Sequence, residues 1–141
     1  SEKKNIIEKL NNQFEIKNLH YLFLKFGKDK IRVYSGSLSK TDLNILDKNA
    51  RIESIGLYFA RIQQDGIRLT IDGTQLVKNQ ITKNILEIND KESIEWLKGQ
   101  DLDIKKEKSF KIIKNENEFL GCGKSTGEKI TNFIPKERRI K

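Results

Sequence analysis

Residues 55–71 read IGLYFARIQQDGIRLTI, and this stretch decides the fold class. Two runs rich in β-branched and aromatic residues, Ile55 to Ile62 and Gly66 to Ile71, flank Gln63-Gln64-Asp65. Asp65-Gly66 is a hairpin signal, because glycine tolerates the backbone that a tight turn demands. A second hairpin lies upstream, where the dense apolar run Leu19 to Phe26 meets a turn at Gly27-Lys28-Asp29. Lys30 to Tyr34 then alternates, with Ile31 and Val33 on one face. Ahead of both, Glu2 to Phe14 carries Ile6, Ile7, Leu10 and Phe14 at helical spacing. Ser39-Lys40-Thr41-Asp42 predicts another helix start, with Ser39 as N-cap and Leu43, Ile45 and Leu46 on the apolar side. The pattern changes near Arg51 to Ser54. It predicts a small N-terminal α/β segment over residues 1–51 and a second unit over 52–141.

In the second unit, Asp72-Gly73-Thr74 opens a short helical or irregular stretch to Asn79, and Asn84 to Ile88 is a strand candidate. Asp90 is the expected cap of a helix running through Ile94, Trp96 and Leu97 to a stop at Gly99. Asp101 to Ser109 is charged and loop-like. Three strands are predicted after it: Phe110 to Ile113, Glu118 to Gly123, and Lys129 to Ile134. Pro135 ends the last of them and releases Lys136 to Lys141 as a basic tail. Many short strands with a few short helices describe an α+β domain around a small barrel or curled sheet.

The composition points the same way. Ile occurs 20 times and Leu 14 times against two Ala and two Val, which favours strands over a helical bundle. No apolar run approaches the roughly 20 residues of a membrane span, and Ser1 to Lys9 begins no signal-peptide pattern. A cytoplasmic protein without a membrane partner is therefore expected. One cysteine and one histidine exclude an internal disulfide and a zinc finger.

The net charge of +8 is uneven: +4 over residues 1–53 (11 basic, 7 acidic), −2 over 54–104 (6 and 8) and +6 over 105–141 (11 and 5). Basic ends of this kind read as a polyanion-binding surface, or as a merely solvated basic face. Catalytic signals are weak. Gly123-Lys124-Ser125 resembles the end of a phosphate-binding P-loop, but the position that requires an earlier glycine is Glu118, and no long helix follows. The two glycines, Gly121 and Gly123, fit a strand or bulge where another backbone comes close. Cys122 reads as a small packed residue, His20 as a core or hairpin histidine, and Trp96 as core. Asp90, Glu92 and Glu95 read as the solvent side of a helix. No metal and no cofactor is expected.

Four pieces of the sequence, in order, carry a resemblance: Gly56 to Ile62 with Ile85 to Ile88, Ile94 to Leu102, Phe119 to Lys124, and Lys129 to Arg139. Together they resemble the PUA-like RNA-binding domain of the Sun/Fmu family of RNA cytosine-5 methyltransferases, over about residues 52–140. They are most like its free-standing archaeal relatives in ribosome biogenesis. In that family the pieces read G-L-x-F-x-R, Y/W-L-R/K-G-x-x-L, L-G-x-G-K and N-x-x-P-K-x-x-R-R. The resemblance implies a PUA-like mixed-sheet pseudo-barrel with short helices, and RNA binding as an accessory role. The methyltransferases carry a large catalytic domain with nucleophilic cysteines ahead of this module. Only about 51 residues precede it here, and Cys122 lies inside it, so methyl transfer is not carried over.

The resulting expectation is a non-catalytic protein that binds rRNA or tRNA in ribosome biogenesis or RNA modification. Its alternative is a protein-docking module for an RNA methyltransferase or a ribosome assembly factor. Arg61, Arg68, Lys124, Lys129, Lys136, Arg138 and Arg139 are the expected RNA contacts, Arg as a fork for phosphate and Lys as a point charge. Lys136, Arg138 and Arg139 are expected to stand free of the sheet. The competing arrangement packs an arginine back as a structural ion pair.

Overall fold

A computed structural model describes residues 2–34 and 56–141. The helix expected from Ser39 and the expected division between residues 51 and 52 lie outside the described residues. Helix α1 (Glu2–Phe14) buries Ile6, Leu10 and Phe14, four residues apart on one face. Strands β1 (Leu22–Phe26) and β2 (Lys30–Tyr34) form the upstream hairpin. Strands β3 (Leu57–Gln63) and β4 (Gly66–Leu69) form the second hairpin, closed on Gln64 and Asp65. All four make one antiparallel sheet in the order β1-β2-β3-β4, so strands from both sides of residues 51/52 are neighbours. A bulge between Ile31 and Arg32 pairs Ile31 with Ala60 and Arg32 with Tyr58. The extra residue explains why Phe59 and Ala60, adjacent in sequence, are both buried.

The side chain of Gln13 ties α1 to the free edge of β4. Its Nε2 donates to the Ile67 carbonyl at 2.9 Å, and the Ile67 N–H donates to its Oε1 at 2.7 Å. One amide side chain thus occupies the edge pairing that an open strand otherwise offers to another chain.

Helix α2 (Ile71–Val77) follows, capped by Thr70, whose hydroxyl accepts from the Gly73 N–H. Ile71, read as the end of a strand, instead begins this helix. The second sheet has the order β5-β6-β7-β8, from β5 (Ile85–Glu87), β6 (Ser109–Asn115), β7 (Glu118–Ser125) and β8 (Ile130–Thr131). β5 runs parallel to β6, and the other pairs are antiparallel. Helix α3 (Asp90–Leu97) is capped by Asn89 rather than the expected Asp90. Asn89 accepts from the Glu92 N–H, and Glu92 accepts in return from the Asn89 N–H, a complete capping box.

Both faces of the second sheet are covered. Phe110, Ile112 and Cys122 join α1, the first sheet and Val77 in one core. Leu86, Ile88, Trp96, Leu102, Ile113, Ile130 and Ile134 make a second core under α3. Trp96 is fully buried and its indole N–H donates to the Leu120 carbonyl at 2.8 Å, so its polar atom is satisfied. The charged side chain buried in this sheet, Lys111, is held by Glu107 and by the side-chain oxygen Oδ1 of Asn84. The last strand is shorter than the sequence suggests. Asn132 leaves it to donate to the Trp96 and Gln100 carbonyls, closing the C-terminal end of α3, while its own N–H donates to Asp101. The architecture is α+β: among the described residues, an N-terminal helix, two four-stranded sheets and short helices.

Candidate nucleic-acid interface

Because Ile31 and Val33 face the core, Lys30 and Arg32 face outward on the first sheet. Strand pairing extends this into a row. Phe26 pairs with Lys30, Lys30 with Arg61, and Arg61 with Arg68, one residue from each strand. A second row runs Leu24, Arg32, Tyr58. Rings flank the cations of this face. Phe26 and Tyr58 meet edge-on with centroids 5.8 Å apart. Lys30 Nζ stands 5.8 Å from each of these rings, and the Arg32 guanidinium lies 4.7 Å from the Phe26 centroid. At the far end, the Arg68 guanidinium lies 4.1 Å over Phe133.

The charges on this face are not equally free. Arg61 donates to Asp29 at 2.8 Å, and that hydrogen bond holds the Asp29 carboxyl below its ordinary range. Arg32 Nε and Arg68 Nε are buried without a hydrogen-bond partner. Burial, aided by the charge of Arg61, shifts the Arg68 pKa downward. A guanidinium held on a ring in this way offers its planar face and its remaining N–H donors to a ligand.

The seven expected contact residues separate into groups. Arg61 and Arg68 sit side by side in the outward row. Arg138 joins Arg68 around a cleft of about 170 Å³, whose walls also include Tyr58, Thr70, Asp72 and Phe133. Lys124 lies elsewhere, beside Phe110 and paired with Asp65. Lys129 pairs with Asp101 at 2.9 Å. The tail does not stand free as expected. Arg138 grips Asp72 with two donors at 3.1 and 3.2 Å, and Arg139 lies across Gly99 and donates to the Ile134 carbonyl at 2.9 Å. Lys136 is exposed in the 3₁₀ turn Lys136–Arg138. Sequence reasoning missed Phe26, Lys30, Arg32, Tyr58 and Phe133. The alternation that placed Ile31 and Val33 inward was the available signal for Lys30 and Arg32.

The weaker motifs resolve structurally. Gly123-Lys124-Ser125 lies within strand β7, not in a loop ahead of a helix. Gly121 adopts φ +102° beside the irregularity between Ile112 and Lys114, where the two strands shift register. Cys122 is buried, and that burial pushes its thiol up to about 12, against the opposing effects of a Leu69 backbone hydrogen bond and Arg68. His20, expected in the core or a hairpin, is exposed in the segment before β1. It follows Leu19, which takes the buried position. Among the described residues no three His, Cys, Asp or Glu side chains converge as metal ligands. None of the described helices is long and apolar enough to cross a membrane.

Residues 83–140 match the family model described as the methyltransferase RsmF PUA domain. The matched segment runs from the approach to β5 through the C-terminal turn. The first sheet precedes it, while Phe133 and Arg138 lie within it. No match to the chain is found among curated proteins.

Proposed function

We propose that the chain is a non-catalytic RNA-binding protein that acts on rRNA or tRNA in the cytoplasm, in ribosome biogenesis or RNA modification. The row Phe26, Lys30, Arg61 and Arg68, with Arg32 and Tyr58 beside it, carries this reading. Cations flanked by rings suit a phosphate backbone together with unstacked bases. The contact of Arg68 with Phe133 joins this face to the PUA segment, whose family model belongs to an RNA methyltransferase.

A second reading has one specific observation in its favour. Arg61, Lys124, Lys129 and Arg138 each already hold a carboxylate, which leaves less bare charge than the composition implies. On that reading the module docks on a methyltransferase or an assembly factor. Salt titration of binding to a structured RNA separates the two. If four to six phosphates of its single-stranded segments are neutralised, log K falls against log[salt] with a slope of roughly −3 to −4, at about −0.7 per contact. Binding that is absent at low salt, or indifferent to salt, favours docking. The protein alone is expected to show neither methyl transfer from S-adenosylmethionine nor ATP hydrolysis, and turnover of either by purified protein defeats the non-catalytic reading.

A further inference from the structure

The cleft at the end of the outward row is lined by aliphatic side chains, rings and polar groups. Tyr58 and Phe133 supply rings, while Arg68, Thr70, Asp72 and Arg138 supply polar groups. Arg68 lies over Phe133 at 4.1 Å, with its Nε buried and unpartnered. Among the polar groups, Arg138 donates to both oxygens of Asp72, at 3.1 and 3.2 Å. An arginine has five N–H donors and a carboxylate about four lone-pair sites, so the pair retains donors and acceptors for a third party. Rings together with donors and acceptors in one cleft match the chemistry of a nucleobase, whose faces stack and whose edge carries both.

Resting on the RNA-binding reading above, we infer that this cleft receives one unpaired nucleotide of the bound RNA, while the cations of the first sheet hold the adjoining backbone. A base inside an A-form stem cannot present its face, because its neighbours cover it. The cleft therefore selects for a bulged or looped nucleotide within a structured RNA. Charge alone gives no such preference.

The test compares two RNA hairpins with the same stem, one fully paired and one with a single-nucleotide bulge, by fluorescence anisotropy at fixed salt. The wild-type protein is expected to bind the bulged hairpin about tenfold more tightly, in line with the stacking of one base. Phe133→Leu removes the ring beneath Arg68 and brings the ratio toward one, with the loss confined to the bulged hairpin. Arg138→Lys keeps the charge but loses the fork on Asp72. It also lowers the ratio while leaving the salt slope unchanged, and its exposed position decides the matter if Phe133→Leu fails to fold. Equal wild-type affinity for both hairpins overturns the inference, as does a parallel loss on both hairpins in the variants. In those cases salt-dependent RNA binding persists and the broader reading stands. Absence of binding to either hairpin at low salt removes both.

Discussion

A Cβ at position 123 would stand 2.7 Å from Trp96 Cη2, 2.8 Å from Ile130 Cγ2 and 3.0 Å from the Thr131 carbonyl oxygen. Position 123 is thus glycine for packing against α3 and β8, which accounts for half of the P-loop likeness without any phosphate. Gly123→Ala is expected to cost about 1–3 kcal/mol, the usual range for overpacking. Urea denaturation measures that loss, and RNA affinity per folded molecule should hold. The neighbouring thiol gives a second test. Burial raises Cys122 from 9.0 to about 12, so the folded state keeps it neutral at physiological pH. Its contribution to stability is complete below pH 9.0 and declines as pH rises toward 12, because the unfolded chain ionises first. Alkylation by iodoacetamide at pH 8 should therefore follow global unfolding. Rapid labelling of the native protein would contradict the packed, inert role.

At the scale of elements, α3 depends on local chemistry. Asn89→Ala removes the acceptor for the Glu92 N–H, while the backbone N–H of residue 89 still donates to the Glu92 carboxylate. The expected loss is about 1 kcal/mol, within the 0.5–2 range of cap deletions. Thermal melting of Asn89→Ala against Asp90→Ala identifies the cap, and a larger loss at Asp90 would reverse the assignment. Helices and hairpins of this chain were legible because their signals are local: Ile6, Leu10 and Phe14 at helical spacing, Asp65-Gly66 at a turn, Gly99 after a helix. The end of β8 was not, because it depends on Asn132 reaching Trp96 and Gln100, some thirty residues upstream. The candidate interface was legible only in part for the same reason. Arg61 and Arg68 could be picked for charge, but their alignment with Lys30 and Phe26 needs β2 to pair with β3. It also needs the bulge at Ile31 and Arg32 to set the register. No periodicity within either hairpin specifies that pairing. The packing of Arg138 on Asp72 likewise joins residues sixty-six apart, beyond the reach of any local pattern.

Across the whole molecule, several of the 28 basic side chains are already held by carboxylates at neutral pH. Asp65 is held below its ordinary value of 3.8 by the Lys124 hydrogen bond. For Asp101, burial pushes upward, but Lys129 and the Asn132 N–H outweigh it and the net shift is also down. Folded values below the unfolded ones mean that these pairs stabilise the fold above about pH 4 and cease to do so as the pH falls through the folded values. Melting temperatures should accordingly be flat from pH 8 to 5 and fall as the pH drops below about 4, and a rise there would refute the pairing. The same carboxylates compete with RNA. Exposed ion pairs are worth only about 0–1 kcal/mol, so a phosphate can displace a carboxylate from its cation. Asp29→Asn keeps an oxygen for Arg61 to donate to but removes the competing charge on the first sheet. Asp101→Asn does the same for Lys129 on the second sheet, where its side-chain oxygen can still accept from the Asn132 N–H. If RNA lies on the outward row, Asp29→Asn tightens binding and steepens the salt slope by about 0.7, the share of one added phosphate contact. Asp101→Asn then leaves the slope unchanged. The reverse pattern moves the interface to the second sheet. Equal small gains from both reduce the effect to long-range charge and remove the case for a positioned face.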